Sequence, residues 1–200
     1  MHPVKLEGDT VRSGEEILWL RAFNKIPTPV CGTLFSKHFL RKNGLRFHEG
    51  CTAGGDVEFQ MKVFCRVNQA AFTSDCLHIY VHHSGMGSIH ENTSKEKRFR
   101  RYRDHTGAEI RTAKYLSEHA PSAKIKELAN HFLLPQALIC RFTQCAKIND
   151  RAEFDALLAD EDTQKALASS KKFFFQKPEV FLKAFALLHF PHFYYRMRQG

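Results

Sequence analysis

Beyond residue 93 the sequence loses every trace of strand patterning. Apolar residues recur there at helical spacing almost to the C-terminus. Pro121, Pro135, Pro178 and Pro191 cut this stretch into pieces, because a proline inside a helix removes a donor and clashes with the preceding turn. The pattern predicts one long amphipathic helix over about 94–119 and a second over 122–146 that Pro135 kinks or divides. Shorter helices are expected at 151–159, 161–174 and 178–188.

The first 93 residues read differently. Ser13 is placed to cap a helix, with Glu16 at the capping-box position three residues on and Ile17, Leu18, Leu20 and Phe23 following. That helix should end before Pro27, and Pro27 and Pro29 impose an extended passage. A short helix over 34–42 closes at Asn43-Gly44. After a loop over 45–55, a third helix is expected from about Asp56 to Arg66, and short strands at 70–73 and 77–82. Two short strands cannot make a sheet that covers this much apolar helix surface. The segment therefore reads as pieces of an α/β domain whose main sheet is encoded elsewhere. The fold expected is a partial α/β segment with few short strands (1–93) followed by an all-helical tail (94–200).

Composition narrows the function classes. A chain that is 43% hydrophobic with 18 Phe is too apolar for disorder. The first 14 residues have no apolar signal-peptide region, and no apolar run reaches the length of a membrane span, so the expected location is the cytoplasm. Six cysteines at irregular spacing, with no CxxC, read as free thiols in a reducing compartment. His48, Cys51, Cys76 and His78 match no standard structural zinc spacing. The formal net charge of +9 is concentrated in KEKRFRRYR at 95–103 and in the last thirty residues. A positive field attracts nucleic acid, anionic lipid or a phosphorylated substrate without choosing among them. No nucleic-acid-binding signature accompanies it, so no nucleic acid is expected as a partner.

One stretch carries a resemblance. TLFSKHFLRKNGLRFHEG at 33–50, GGDVEFQMKVF at 54–64, CLHIYVHH at 76–83 and GSI at 87–89 follow one another in an order and at a spacing similar to the second half of the catalytic domain of family 2 glycosyltransferases. These are inverting enzymes with a GT-A fold. The resemblance implies that Asp56 is the catalytic base, taking the proton from the acceptor hydroxyl as that oxygen attacks the anomeric carbon of a nucleotide-diphospho-sugar. It also implies that His82 or His83, with Gly87 and Ser88, lies near the donor diphosphate. The family's usual Glu before the base is Gly55 here. Read from the residues alone, Asp56 is equally a helix-capping carboxylate, and the histidines and Gly-rich loop equally a solvated turn.

The resemblance further implies a nucleotide-binding half with a DxD motif holding Mn²⁺ or Mg²⁺. No DxD precedes Asp56, and Asp160-Glu161-Asp162 reads as a turn between helices. The expectation is thus an acceptor-side fragment, inactive alone, with a separate N-terminal half as partner and a glycan or lipid-linked acceptor. The alternative is a non-enzymatic basic helical binding module. Residues 171–198 combine Phe173, Phe174, Phe175, Phe181, Phe185, Leu187, Leu188, Phe190, Phe193, Tyr194 and Tyr195 with six Lys or Arg. They read either as a peripheral contact with an anionic membrane surface or as core packed against the helices at 94–146.

Overall fold

The computed structural model describes residues 9–26, 29–75, 79 and 94–199. It opens with strand β1 (Thr10–Ser13) running directly into helix α1 (Gly14–Ala22). Ser13 caps α1 as expected, its Oγ accepting the Glu16 amide at 3.1 Å. The reciprocal half of the capping box is not made, because the Glu16 carboxylate pairs with Arg12 instead. A 3₁₀ turn at Val30–Gly32 leads to α2 (Lys37–Lys42), capped by Ser36. This helix begins three residues later than the sequence suggested, since Ser36 supplies the cap. Helix α3 (Gly55–Arg66) and strand β2 (Gln69–Phe72) follow.

β1 and β2 form a two-stranded antiparallel sheet, with Thr10 opposite Phe72 and Ser13 opposite Gln69. The strand expected at 70–73 is therefore present, but its partner is a segment that sequence patterning passed over. The second expected strand, 77–82, lies outside the described residues apart from Ile79. Gly14 sits at the junction of the two strand–helix pairs, its amide bonded to the Asn68 carbonyl. A Cβ there would lie 2.2 Å from the Phe64 carbonyl oxygen and 2.3 Å from that of Val67, so only glycine fits.

The rest of the described chain is helical. Helix α4 (Lys95–His119) is the spine, capped by Ser94. Helix α5 (Ala123–Leu128) passes through a π turn (Ala129–Leu133) into α6 (Leu134–Ile148). Pro135 has no amide to donate, and the wider turn before it accommodates the break that the sequence placed here. α6 stops at Asn149 in the left-handed conformation, φ 61°. Helices α7 (Arg151–Ala159) and α8 (Glu161–Ser169) meet at Asp160, whose side chain accepts the Thr163 amide at 2.8 Å. The DxD look-alike is thus a helix cap. A 3₁₀ turn (Ser170–Phe173) precedes α9 (Pro178–His189) and α10 (Pro191–Arg198). Each of these two starts on a proline, which suits the first helical position.

A single apolar core crosses residue 93. Ile17, Leu18, Met61 and Phe64 from the first part join Leu116, Ile125, Leu128, Phe132, Phe142, Phe154, Leu167, Leu187 and Tyr194 from the second. Each of the large side chains is fully or almost fully buried, which contributes roughly 1.5–3 kcal/mol apiece. The apolar faces of α1 and α3 are therefore covered by the long helices, without a further sheet. A smaller cluster of Leu45, Phe59 and Val63, with Phe35, Phe39 and Leu40 against it, fixes α2 on the outer side of α3.

Candidate functional site

The site is organised by α3. Its N-cap is Gly54, left-handed at φ 80°, and Gly54 meets α4 so closely that a Cβ would be 2.9 Å from His105 Nδ1 and 3.1 Å from the Ala108 methyl. Glycine thus answers two demands at once, backbone conformation and close approach. Asp56 follows in the first turn of the helix, where the macrodipole favours a carboxylate. It is exposed to solvent. It does not cap the helix through its side chain, and it makes no hydrogen bond or ion pair with another described residue.

Glu58, two residues on, has the opposite surroundings. Its side chain is 1% exposed. Arg111 Nε donates to both carboxylate oxygens at 3.1 Å and Nη2 to Oε2 at 2.6 Å, while Lys62 Nζ donates to Oε1 at 2.6 Å. Burial pushes the Glu58 carboxyl up, but these hydrogen bonds and charges together outweigh it and hold the group below the usual carboxylate range. The bond to Glu58 raises Arg111 correspondingly. Arg111 also reaches Cys51 Sγ at 3.6 Å, and Cys51 in turn donates to the Ala53 carbonyl at 3.0 Å. The Thr52 amide donates to Asp104 at 3.0 Å, with the Thr52 hydroxyl on the same oxygen. The loop ahead of Asp56 is therefore tied at several points to α4.

At about 100° of rotation per residue, Asp56 lies roughly 140–160° round α3 from Gly54, Glu58 and Met61 and about 100° from Val57. Those four line a cavity of about 270 Å³ together with His105, Glu109 and others. Asp56 does not line it, and the cavity belongs to the other face of the helix. Asp56 shares its own face with Phe59 and the aromatic residues around it. Phe47 stacks on Phe59 at 4.1 Å between ring centroids. Phe59 is in the core, while Phe47 is 54% exposed and covers it from outside. A Cβ at Gly55, the position of the family's Glu, would meet Cys51 at 3.7 Å, an ordinary contact. Close packing is therefore not what requires a glycine there.

His82, His83, Gly87 and Ser88 lie outside the described residues, as does Tyr80. The divalent cation that the resemblance implies needs several oxygen ligands converging on one point. Among the described residues no three His, Cys, Asp or Glu side chains gather in that way, and Glu58 is already engaged by Arg111 and Lys62. The described residues do not fit such an ion. The Glu58–Lys62 pair was legible from its i, i+4 spacing, whereas Arg111 is 53 positions away from Glu58 and no local signal announces it. Comparison of the chain with known families, with curated proteins and with solved structures returns no match.

Proposed function

We propose that this chain is the acceptor-side part of an inverting glycosyltransferase, with Asp56 as general base and a separate half supplying the nucleotide-diphospho-sugar and its metal. The observation that carries the reading is Asp56 itself: an exposed carboxylate in the first turn of α3, committed to no other described residue. In the reaction the Asp56 carboxylate accepts the proton of the acceptor hydroxyl. That oxygen forms the new bond to the anomeric carbon as the bond to the nucleotide diphosphate breaks on the opposite side, which inverts the configuration. The order of segments over 33–64 supports the assignment. The acceptor is a glycan or a lipid-linked saccharide.

The test has two arms. The chain alone shows no sugar transfer and no tight binding of UDP with Mn²⁺; micromolar affinity in a titration would put the donor site on this chain and overturn the division of labour. Combined with a half encoded upstream, Asp56→Asn lowers turnover by about 10²–10⁴-fold while donor binding is unchanged. A loss below about threefold removes Asp56 from the role of base.

A further inference from the structure

The last thirty residues carry far more apolar surface than the core takes up. Phe173, Val180, Ala184, Leu187, Tyr194 and Tyr195 are buried. Phe174, Phe175, Leu182, Phe185, Phe190, Phe193 and Met197 are not. The two sets lie on different faces. On α9 the buried Val180, Ala184 and Leu187 form one stripe, and Leu182 and Phe185 lie roughly 150° round from it. On α10 the buried Tyr194 and Tyr195 face inward, and Phe193 and Met197, four residues apart, share the outer side. Ring contacts join five of the phenylalanines into a belt, Phe175 to Phe174 at 5.4 Å, Phe174 to Phe181 at 5.3 Å, Phe181 to Phe185 at 6.2 Å and Phe185 to Phe190 at 6.4 Å, and Phe193 follows Phe190 in the first turn of α10. Phe175 is 93% exposed and Phe193 62%. Continuous apolar surface of this kind marks an interaction site.

The charge around the belt has one sign. Residues 171–199 hold six Lys or Arg and a single acidic residue, Glu179. Lys177 pairs with Glu179 at 3.5 Å, Lys172 sits 3.0 Å from His131, and Arg198 lies over the Tyr194 ring. Lys171, Lys183 and Arg196 are exposed and form no ion pair with a described residue. We infer that this face lies on an anionic lipid bilayer, with Phe175, Phe185, Phe190 and Phe193 entering the interfacial layer and the free basic residues at the headgroups. A second copy of the chain is a poor occupant, since it would set two positive rims against each other. Among the described residues no helix is long and apolar enough to cross a membrane, so the contact is one of lying on the surface. The inference does not depend on the sugar-transfer reading.

Deleting the segment is the wrong test, because Leu187, Tyr194 and Tyr195 belong to the core and their loss would unfold the chain. Point substitutions on the outer face separate the two roles. The full chain is spun with vesicles of phosphatidylcholine alone or with phosphatidylglycerol added. It should sediment with the anionic vesicles at low salt and be released at high salt. Phe175→Ser and Phe193→Ser should each weaken partitioning about tenfold, with the helical circular dichroism unchanged. Lys183→Gln and Arg196→Gln should cost about fivefold each on anionic vesicles only. Leu34→Ser removes a fully exposed apolar residue elsewhere and should change nothing. A chain that stays in the supernatant at low salt, or that binds equally well without Phe175 and Phe193, overturns the inference. A dimer in sedimentation velocity that the same two substitutions abolish would assign the face to a second copy and overturn it too.

Discussion

Replacing Arg111 with Met should destabilise the fold by about 2–4 kcal/mol at neutral pH. The substitution removes three hydrogen-bonding contacts from a carboxylate that is 1% exposed and leaves it with Lys62 alone. Breaking a buried ion pair costs about 3–5 kcal/mol. The lower range applies here because Lys62 remains and the Arg111 side chain is itself 34% exposed, where water screens the pair. For a chain of this length the melting temperature should fall by roughly 5–15 °C. The pH dependence is the sharper part. In the wild type the folded-state Glu58 carboxyl lies below its ordinary value of 4.5, so its contribution is complete above that value and is lost as pH falls through the folded pKa. Without Arg111, burial is opposed by Lys62 alone and the folded-state pKa moves up. Protonation then relieves the buried charge, and the gap between variant and wild type should narrow between pH 7 and pH 4. Urea titrations followed by circular dichroism at both pH values measure it. The double variant Glu58→Met/Arg111→Met should be more stable than Arg111→Met alone, since the 1% exposed carboxylate is gone and the Lys62 ammonium that loses it is 19% exposed and still lies over the Tyr115 ring. A gap under about 0.5 kcal/mol, or one that widens in acid, would refute the account.

Gly14→Ala should be the more damaging of two glycine substitutions, at about 3 kcal/mol or more, because its Cβ would collide with two backbone carbonyls that cannot move independently; Gly54→Ala should cost about 1–3 kcal/mol, and thermal melts rank them. Thiol reactivity should divide by burial: Cys31 is exposed and should react quickly with a disulfide reagent, whereas burial pushes the Cys65 thiol up and the Cys145 thiol up to about 12, so both should react only on unfolding.

Where an element is specified by its own residues, the sequence foretold it. The helices that periodicity placed from about 94, 151 and 161 begin at Lys95, Arg151 and Glu161, each behind a capping side chain, that of Ser94, Asp150 or Asp160. Pro135 foretold an interruption, although not that a π turn would form it. What escaped is non-local. Thr10–Ser13 is four residues long with no apolar alternation of note, and it becomes a strand only because β2 is presented alongside it. The helix Pro191–Arg198 was hidden by a short span dense in aromatics. The neighbours Phe173 and Phe175 have similar local sequence, yet one is core and the other almost fully exposed, because the 3₁₀ turn between α8 and α9 sets which ring faces inward. In the site, Asp56 was singled out by the resemblance, and its own residues announced only a carboxylate at the start of a helix, while Arg111 could be found only from the packing of α3 on α4.

The two carboxylates of α3 explain each other. Asp56 and Glu58 differ by about 200° round one helix; Phe59, Gln60 and Val63 on the side of Asp56 are buried further along, and Asp56 is open to solvent because it stands in the first turn, ahead of them. An exposed first turn at the end of a loop would ordinarily fray. Here the Glu58–Arg111 contacts bind that turn to α4, Thr52 binds the preceding loop to Asp104, and Gly54 lets the two backbones approach without a gap. The carboxylate offered to solvent is thus held by the carboxylate withheld from it. A general base must be placed to within a fraction of an ångström of its proton, and such placement requires that its support be rigid. It follows that Arg111→Met should disturb Asp56 without touching it. On the proposed sugar-transfer reading, where the chain still folds, turnover of the enzyme assembled with its other half should drop while donor affinity stays constant. That loss should shrink in the Glu58→Met/Arg111→Met double variant, in which apolar contact restores the packing of α3 on α4.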